Sequence, residues 1–396
     1  MYTRSNLNIA ATASKTGDGG LFRSRQGDQE WPWSCEAVLD EDEENKKSCL
    51  IYDEDIRENE LEKAPLNQRA WVLQERLLAP RVLHFCESQL FWECHEREAC
   101  EKFPNQLPLP MVSNGNLLGK SLDPSRFEAR LRSLNRIGHT SQPAAWPYQI
   151  WQNVVMLYMN CGITKPEDKL VALSGIAKHI SHMVKDDYIA GHWRSKIPVS
   201  LLWSVEHCIQ GNGADSFRPS TYRAPSWSWA SVEGRVLFHA QYDTDSKHLT
   251  EVLEVKASAA IPGDRFGQCT EAVLRLKGRL IGPLQIIMNG RYKYYIDTGK
   301  ESVLQSQYIE PDMPLISGAR GVSCLPFVSH VHSTVGFLVH CLLVTSTKSG
   351  NEKEYERFGY AWFYGDAVTL FEDSIAGITM RAKAGCEVVK TEMTIV

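Results

Sequence analysis

The chain has 396 residues, 43% of them hydrophobic and 23% charged, so it can bury a substantial core, and its length favours two or three domains. Its formal net charge of -5 supplies no basic surface for a phosphate backbone, which argues against nucleic acid as a partner. Its apolar runs fall well short of the roughly 20 residues that cross a bilayer, and its start lacks a secretory signal. We therefore expect a cytoplasmic protein with no membrane span, whose eleven cysteines stay reduced.

The N-terminal part begins with a short element and continues into an acidic segment. The partly alternating run Leu7 to Ala13 predicts a strand or short helix, and the glycines after it predict a turn. Residues 36–63 hold twelve Asp or Glu against four Lys or Arg, a local charge of about -8. We expect this segment to be a solvated loop, with docking to a basic surface as the alternative.

A helix followed by a hairpin is predicted next. Apolar residues recur at helical spacing from Leu66 to Leu77, and Pro80 ends the helix because proline lacks the amide that would extend it. Two short aromatic and β-branched runs, Arg81 to Cys86 and Gln89 to Cys94, then predict a β-hairpin.

Residues 104–147 have little sustained period and predict a linker that wraps the surface. Three helices should follow, marked by Ile150 to Leu157, by Leu170 to Val184, and by the run Val199, Leu202 and Trp203. From about residue 251 the apolar runs alternate as strands do, and residues 348–351 predict a hairpin turn. The fold class predicted is α+β, with a domain of helices and a small sheet over 1–235 and a mainly antiparallel β domain over 236–396.

Four separated stretches of the chain carry a recognisable family pattern. They are Asn8-Ile-Ala-Ala-Thr-Ala13 with Gly20-Leu-Phe-Arg-Ser-Arg25, Leu66-Asn-Gln-Arg-Ala-Trp-Val-Leu-Gln-Glu-Arg76, Asp168-Lys-Leu-Val-Ala-Leu-Ser-Gly-Ile-Ala177, and Tyr222-Arg-Ala-Pro-Ser-Trp-Ser-Trp-Ala-Ser231. In sequence and in order, these stretches resemble the heterokaryon-incompatibility (HET) domain family of fungi. Two further runs, Arg81-Val-Leu-His-Phe85 and Phe91-Trp-Glu-Cys94, lie where the family has them.

The resemblance implies self/non-self recognition and cell-death signalling when genetically different hyphae fuse. Members usually begin with two further strand motifs that this chain lacks, so we expect a HET domain without its N-terminal part. The missing region is suspected of a Toll/interleukin-receptor-like fold, and such folds hydrolyse NAD through a glutamate. Residual NAD hydrolysis is therefore a further possibility, and it would require a glutamate such as Glu75 in a cleft.

The helix that carries Glu75 also offers candidate ligand-binding residues. Arg69 and Arg76 are seven residues apart, which places them on about the same helical face, with Gln74 between them. Such a face suits a carboxylate or a phosphate. The alternative is that arginine and glutamate side chains tie this helix to the following hairpin through buried ion pairs.

The eleven tryptophans suggest a second kind of site. Trp227 and Trp229 are two residues apart, so on an extended segment both project to one side, and with Trp92 they are candidates to line an apolar cavity. Core packing is the alternative for these indoles.

Metal and nucleophile chemistry have weaker support. Cys94, His95 and Cys100 lack zinc-site spacing, so we expect no metal. A triad of Cys94 or Ser174 with His84 and Asp168 lacks the strained turn that exposes a nucleophile. No glycine-rich phosphate loop follows a predicted strand, and we expect no cofactor.

Two main hypotheses follow. The first is an incompatibility-type protein that works through protein contacts, with related HET proteins among its partners. The second is an enzyme repurposed from this scaffold to act on a hydrophobic small molecule in a Trp-lined pocket. An enzyme should show a deep cavity with convergent polar groups, and an interaction protein should show a flat apolar patch. The sequence leaves open whether the protein is an enzyme.

Overall fold

The chain divides into two compact units, residues 1–139 with 161–163 and residues 140–160 with 164–396. The predicted boundary at residue 235 stays a prediction. The computed structural model describes residues 1–24, 33–38, 46–113, 120, 122–133, 143–206, 216–239, 246–288, 294–296, 307–315, 319–332, 336–347, 353–364 and 387–396.

The first unit contains a four-stranded sheet in the order β1-β4-β5-β6, in which β1 is parallel to β4 and the other pairs are antiparallel. Strands β2 and β3 form a separate antiparallel hairpin. The predicted hairpin is confirmed as β4 and β5; the predicted helix is confirmed from Ala70 onwards as α1, but its expected first turn from Leu66 is not helical, because Arg69 is extended. The elements are β1 (Asn8–Ala10), β2 (Trp33–Val38), β3 (Lys46–Ile51), α1 (Ala70–Leu78), β4 (Arg81–Phe85), β5 (Leu90–Cys94), β6 (Glu98–Cys100), α2 (Leu109–Ser113) and α3 (Pro124–Ser133).

Two segments expected to lack regular structure contain it. In the acidic segment, β3 and a π-helical turn over Glu58–Glu62 replace much of the predicted loop. The turn is stabilised by the burial of Leu61 and of Arg57, its N-cap residue. The predicted linker over 104–147 contains α2, α3 and the first turn of the next helix, and its remaining stretches lie partly outside the described residues.

The second unit begins with helices and two small two-stranded antiparallel sheets. The first two predicted helices are confirmed, but the third ends at Ser200, and Trp203 belongs to a strand. The reason is that the run from Trp203 to Glu206 pairs with a later strand and buries its first three side chains. These elements are α4 (Trp146–Tyr158), α5 (Ser174–Val184), β7 (Tyr188–Ile189), β8 (His192–Trp193), α6 (Ile197–Ser200), β9 (Trp203–Glu206) and β10 (Arg235–Phe238).

A nine-stranded sheet completes the second unit and confirms the antiparallel β prediction. Its order is β11-β16-β17-β18-β15-β14-β13-β12; β16 also pairs with β13, and β19 pairs with β13 and, in parallel, with β18. The predicted turn at 348–351 lies outside the described residues. The strands are β11 (Lys247–His248), β12 (Glu251–Ala259), β13 (Cys269–Met288), β14 (Tyr294–Ile296), β15 (Gln307–Pro311), β16 (Ala319–His332), β17 (Gly336–Ser346), β18 (Glu354–Tyr364) and β19 (Glu387–Ile395).

Both units have dense apolar cores. In the large sheet, inward side chains such as Ile286, Val322 and Phe363 are fully buried against one another. In the first unit, Leu61 and Phe91 lie at the centre of a core beneath the small sheet. Among the helices that the structure describes, none has the length and apolar character needed to cross a bilayer.

Candidate functional site

The small sheet of the first unit has two chemically different faces. Because side chains alternate along a strand, β4 and β5 send Val82, His84, Phe91 and Glu93 to one face and their neighbours to the other. On the first face the described side chains are buried. We call the charged set on and beside that face the inner ion network; it comprises Arg57, Glu62, Arg76, His84, Glu93 and Glu98.

Two arginines hold the network together. Arg76 of α1 forms a bidentate pair with Glu93, with Nε to Oε2 at 2.7 Å and Nη2 to Oε1 at 2.6 Å. Arg57 donates from Nε to Glu98 at 2.7 Å and from Nη1 to Glu62 at 2.8 Å. Glu62 also accepts from Arg76 Nη1 at 3.1 Å, so it bridges the two guanidinium groups. Three carboxylates therefore surround two arginines.

Two carboxylates of this network, Glu62 and Glu93, are ionised. Burial by itself would raise the pKa of Glu93, but the charge and hydrogen bonds of Arg76 outweigh it and hold that pKa well below its usual value. The same balance, with Arg76 and then Arg57 opposing burial, lowers the pKa of Glu62 to about 2. Breaking either pair would leave a buried charge without its partner, which is costly.

His84 extends the network as a neutral group. Its Nε2 lies 2.9 Å from Glu93 Oε2, and its Nδ1 lies 2.9 Å from the Thr12 hydroxyl oxygen. Burial lowers the pKa of His84 more than its contact with Glu93 raises it. Because Glu93 is an ionised acceptor, we assign the ring proton to Nε2, so that Nδ1 accepts from Thr12.

This arrangement suits structural support better than ligand capture. Both guanidinium groups are already engaged by carboxylates, so an incoming phosphate would have to displace Glu62 or Glu93. Lys120, also buried, donates from Nζ to the Arg76 carbonyl oxygen, and burial lowers the pKa of Lys120 to about 8. Arg76 is thus the tie between helix and hairpin that the sequence offered as the alternative to a phosphate site.

The other candidates on α1 lie elsewhere. Arg69 is exposed at the N-cap of the helix, and its backbone bridges to Gly162. Gln74 and Glu75 are partly exposed. The Tyr2 hydroxyl donates to the Glu75 carboxylate, and burial together with that carboxylate raises the pKa of Tyr2. The structure therefore separates Arg69 from the network that contains Arg76.

The opposite face of the small sheet is apolar and partly open to solvent. We call it the outer sheet face. Ile9 on β1 is 55% exposed, and it lies in register with Leu83 and, one strand further, with Trp92. Trp92 lines a shallow depression of about 370 Å³ together with Leu83 and Leu90. The members of this face are Ile9, Arg81, Leu83, Phe85, Leu90, Trp92 and Cys94, so it is apolar except for the exposed Arg81 at one end of β4.

Trp227 and Trp229 lie in the core of the second unit. Both side chains are 0% exposed, and Trp229 begins a 3-10 turn. Trp229 and Trp151 both donate from Nε1 to the carbonyl oxygen of Gly191, each at 2.9 Å. Gly191 has a φ of 96°, and a Cβ there would lie 2.7 Å from Trp229 Nε1, so this close approach requires glycine.

Two of the stretches that resemble the HET family meet in the second unit. Lys169 donates to Glu233 Oε2 at 2.5 Å, and Arg223 donates to the other carboxylate oxygen. Arg223 also donates from Nε to the Ala230 carbonyl oxygen at 2.6 Å, which ties the two ends of its own stretch together. Burial lowers the pKa of Lys169 to about 8. The charged residues of these stretches therefore stabilise local structure.

A cavity of about 610 Å³ in the second unit has a different lining from the Trp-lined pocket expected from sequence. Charged side chains such as Asp187, Arg194 and Arg265 line it, and neither Trp227 nor Trp229 does. Arg194 and Arg265 both pair with Asp187, at 3.2 Å and 3.4 Å. This lining is suited to a polar occupant.

The weaker candidates from sequence are not brought together. Cys94 and Cys100 project to opposite faces of the small sheet, and His95 is exposed between their strands. Over the described residues, no group of three or more His, Cys, Asp and Glu side chains could hold a metal ion. Both ring nitrogens of His84 are engaged by Thr12 and Glu93, which leaves none for Cys94 or Ser174.

Sequence reasoning missed most of the inner ion network. Arg57, Glu62 and Glu98 lie in segments read as loop or left unassigned, and their partners are distant along the chain. One signal was available: in Phe91-Trp-Glu-Cys94 the strand alternation puts Glu93 on the same face as Phe91. A carboxylate on a buried face requires a cation, and Arg76 on the preceding helix was the nearest candidate.

Comparison with known families gives one match. Residues 1–75 match the family model described as heterokaryon incompatibility protein (HET). The matched range includes β1, Thr12, Arg57 and Glu62, and it ends within α1, one residue before Arg76. No curated protein and no solved structure matches the chain. The match supports a heterokaryon-incompatibility type of protein at the level of the family.

Proposed function

We propose that this protein is an incompatibility-type protein that acts in self/non-self recognition or cell-death signalling through protein contacts, and that related HET proteins are among its partners. The observation that carries the proposal is the contrast across the small sheet. Buried titratable groups within and beside the family match, namely Arg57, Glu62 and Arg76, are engaged in the inner ion network, whereas the outer sheet face presents mainly apolar side chains to solvent. An apolar patch of this kind is typical of a contact surface.

The composition of the outer sheet face indicates the chemistry of its partner. Ile9, Leu83 and Trp92 offer no charge, so the complementary surface should be apolar at its centre. Arg97 and Glu101 lie at the rim of the depression around Trp92, where they can select between partners by charge. A tryptophan in a shallow depression is also the residue type that most often dominates contact energies.

The proposal is tested by expressing the protein from an inducible promoter in a filamentous fungal host and measuring growth arrest and cellular NAD. We expect Ile9→Lys and Trp92→Gln to abolish arrest, because each removes apolar contact area from the outer sheet face. We expect NAD to stay constant. Thermal unfolding of each purified variant checks that the fold survives the substitution.

Glu75→Gln examines the alternative of residual NAD hydrolysis in the same assay. Glu75 is partly exposed and bonded to Tyr2, so the substitution should leave the fold intact. Arrest that depends on Glu75 and comes with a loss of NAD would replace protein contacts with catalysis as the function. Disappearance of a different metabolite would instead favour the repurposed enzyme.

A further inference from the structure

Two cysteines face each other across the hairpin of β2 and β3. Cys35 lies directly opposite Cys49 in the antiparallel register. Directly opposed side chains project from the same face of such a pair. The next pair on that face, Trp33 and Ile51, is 50% and 46% exposed, and both cysteines are themselves only partly buried. Small solutes therefore reach the face that carries the two thiols.

The spacing that this register imposes suits a disulfide bond. Opposed residues in an antiparallel pair have Cα atoms about 4.5 or about 5.5 Å apart, according to whether the pair is hydrogen-bonded. Both values fall within the range of about 4.4 to 6.8 Å that disulfides adopt. Cys35 and Cys49 can therefore be joined by side-chain rotation, with the strand pairing kept.

A second pair of cysteines provides an internal contrast. Cys324 and Cys341 interact within the large sheet, but they are 1% and 0% exposed. Burial raises the pKa of the Cys341 thiol far above its usual value, so this thiol keeps its proton. Since the thiolate is the reactive species, this buried pair is protected from oxidants that reach Cys35 and Cys49.

The hairpin thus combines a paired dithiol with access for small molecules such as a peroxide. We propose that Cys35 and Cys49 form a reversible disulfide when the protein meets a peroxide. One thiolate attacks the O–O bond, becomes a sulfenic acid and releases hydroxide, which takes up a proton to give water. The opposed thiol then attacks the sulfenic sulfur, forms the S–S bond and releases a second water. Two thiols are oxidised by two electrons and one peroxide is reduced, and a thiol reductant reverses the reaction.

The test uses the full chain, one equivalent of hydrogen peroxide, a quench with N-ethylmaleimide and tryptic digestion without reductant. Lys46 and Lys47 lie between the two cysteines, so a disulfide joins two separate tryptic peptides. We expect this cross-linked pair to be the main oxidised product and to vanish with dithiothreitol. In Cys35→Ser, dimedone should trap a sulfenic acid on Cys49, and Cys94→Ser should leave the cross-link at its wild-type yield.

Two results would overturn the proposal. One is wild-type protein in which dimedone labels Cys35 or Cys49 while no cross-linked peptide forms, because the register would then fail to bring the thiols together. The other is cross-linking dominated by other cysteines, such as Cys94. Circular dichroism of each variant before oxidation shows whether a lost cross-link reflects a lost fold.

Discussion

The two faces of the small sheet differ although the same strands build both. One residue along β4 separates buried His84 from partly exposed Leu83, and one residue along β5 separates buried Glu93 from Trp92. The face with the charged residues is closed, and the face with the apolar residues is open. This inverts the usual distribution of polar and apolar side chains, in which charge faces the solvent. Such an inversion indicates that the polar face serves the fold and that the apolar face is available for contacts.

The largest effect should come from removing the central carboxylate of the inner ion network. Glu93→Ala removes the bidentate partner of buried Arg76 and leaves it the longer contacts to Glu62, at 3.1 and 3.2 Å, so we expect a loss of about 3 to 5 kcal/mol in the free energy of unfolding. Hydrogen exchange followed by mass spectrometry, with urea unfolding, measures the loss in the first unit. Glu87→Ala is the matched control, because the Glu87 side chain is 72% exposed and its pair with Arg23 should contribute within about 0.5 kcal/mol. Equal effects of the two substitutions would show that the network adds nothing to stability.

Acid should destabilise the inner face in two steps. The folded-state pKa of His84 is lowered by burial, so protons bind the unfolded state more tightly and stability falls as the pH drops below about 6.5. The folded-state pKa of Glu62 is lowered to about 2, so its contribution, full above about 4.5, is lost as the pH falls from there towards 2. Urea midpoints between pH 7.5 and about 3.5 should show both steps. His84→Gln should reduce the upper step in the first unit, whereas a step from His192 and His340 of the second unit should persist, because burial lowers the pKa of each to about 3. A flat profile from pH 7 to 5 in the wild type would contradict the assignment.

A smaller effect should follow from loss of the Thr12 hydroxyl. Thr12→Val keeps the shape of the side chain but leaves His84 Nδ1 buried without a donor, at a cost of about 1 to 3 kcal/mol. Thr12→Ser keeps the hydroxyl and removes one methyl group, so it should cost about 0.8 kcal/mol. Urea unfolding of the two variants compares the hydrogen bond with the packing of the methyl group. A Thr12→Val variant as stable as the wild-type protein would show that the hydroxyl does not support His84.

The sequence predicted several secondary-structure elements but not which distant side chains pair with one another. Helical spacing from Leu66 to Leu77 and the runs around residues 81–94 predicted α1 and the hairpin because local periodicity alone determines them. The pairing of Arg57 with Glu98 spans 41 residues and begins in a segment whose acidic composition suggested a loop. The buried position of this pair reverses that expectation, and which residues are buried depends on the fold of the whole unit. The same limit applies to Trp227 and Trp229, whose extended spacing was compatible with a pocket until the 3-10 turn at Trp229 was known.

The smallest effect on stability should come from a substitution on the outer sheet face. Two adjacent residues of β1 allow a direct comparison, because their side chains project to opposite faces of the sheet. Ile9 is 55% exposed and Ala10 is 8% exposed. Ile9→Lys should change the free energy of unfolding by no more than about 0.5 kcal/mol, because the new charge remains in water. Ala10→Lys should cost at least about 3 kcal/mol, because it places a charge in a packed core without a partner.

The two substitutions should abolish growth arrest for different reasons, as well as differing in their effect on stability. If the outer sheet face binds a partner, Ile9→Lys abolishes arrest while the protein remains folded, and Ala10→Lys abolishes it by unfolding the first unit. Arrest that survives Ile9→Lys and Trp92→Gln together would mean that this face is not the contact surface. The exposed apolar residues of this face would then have to contact another segment of the protein.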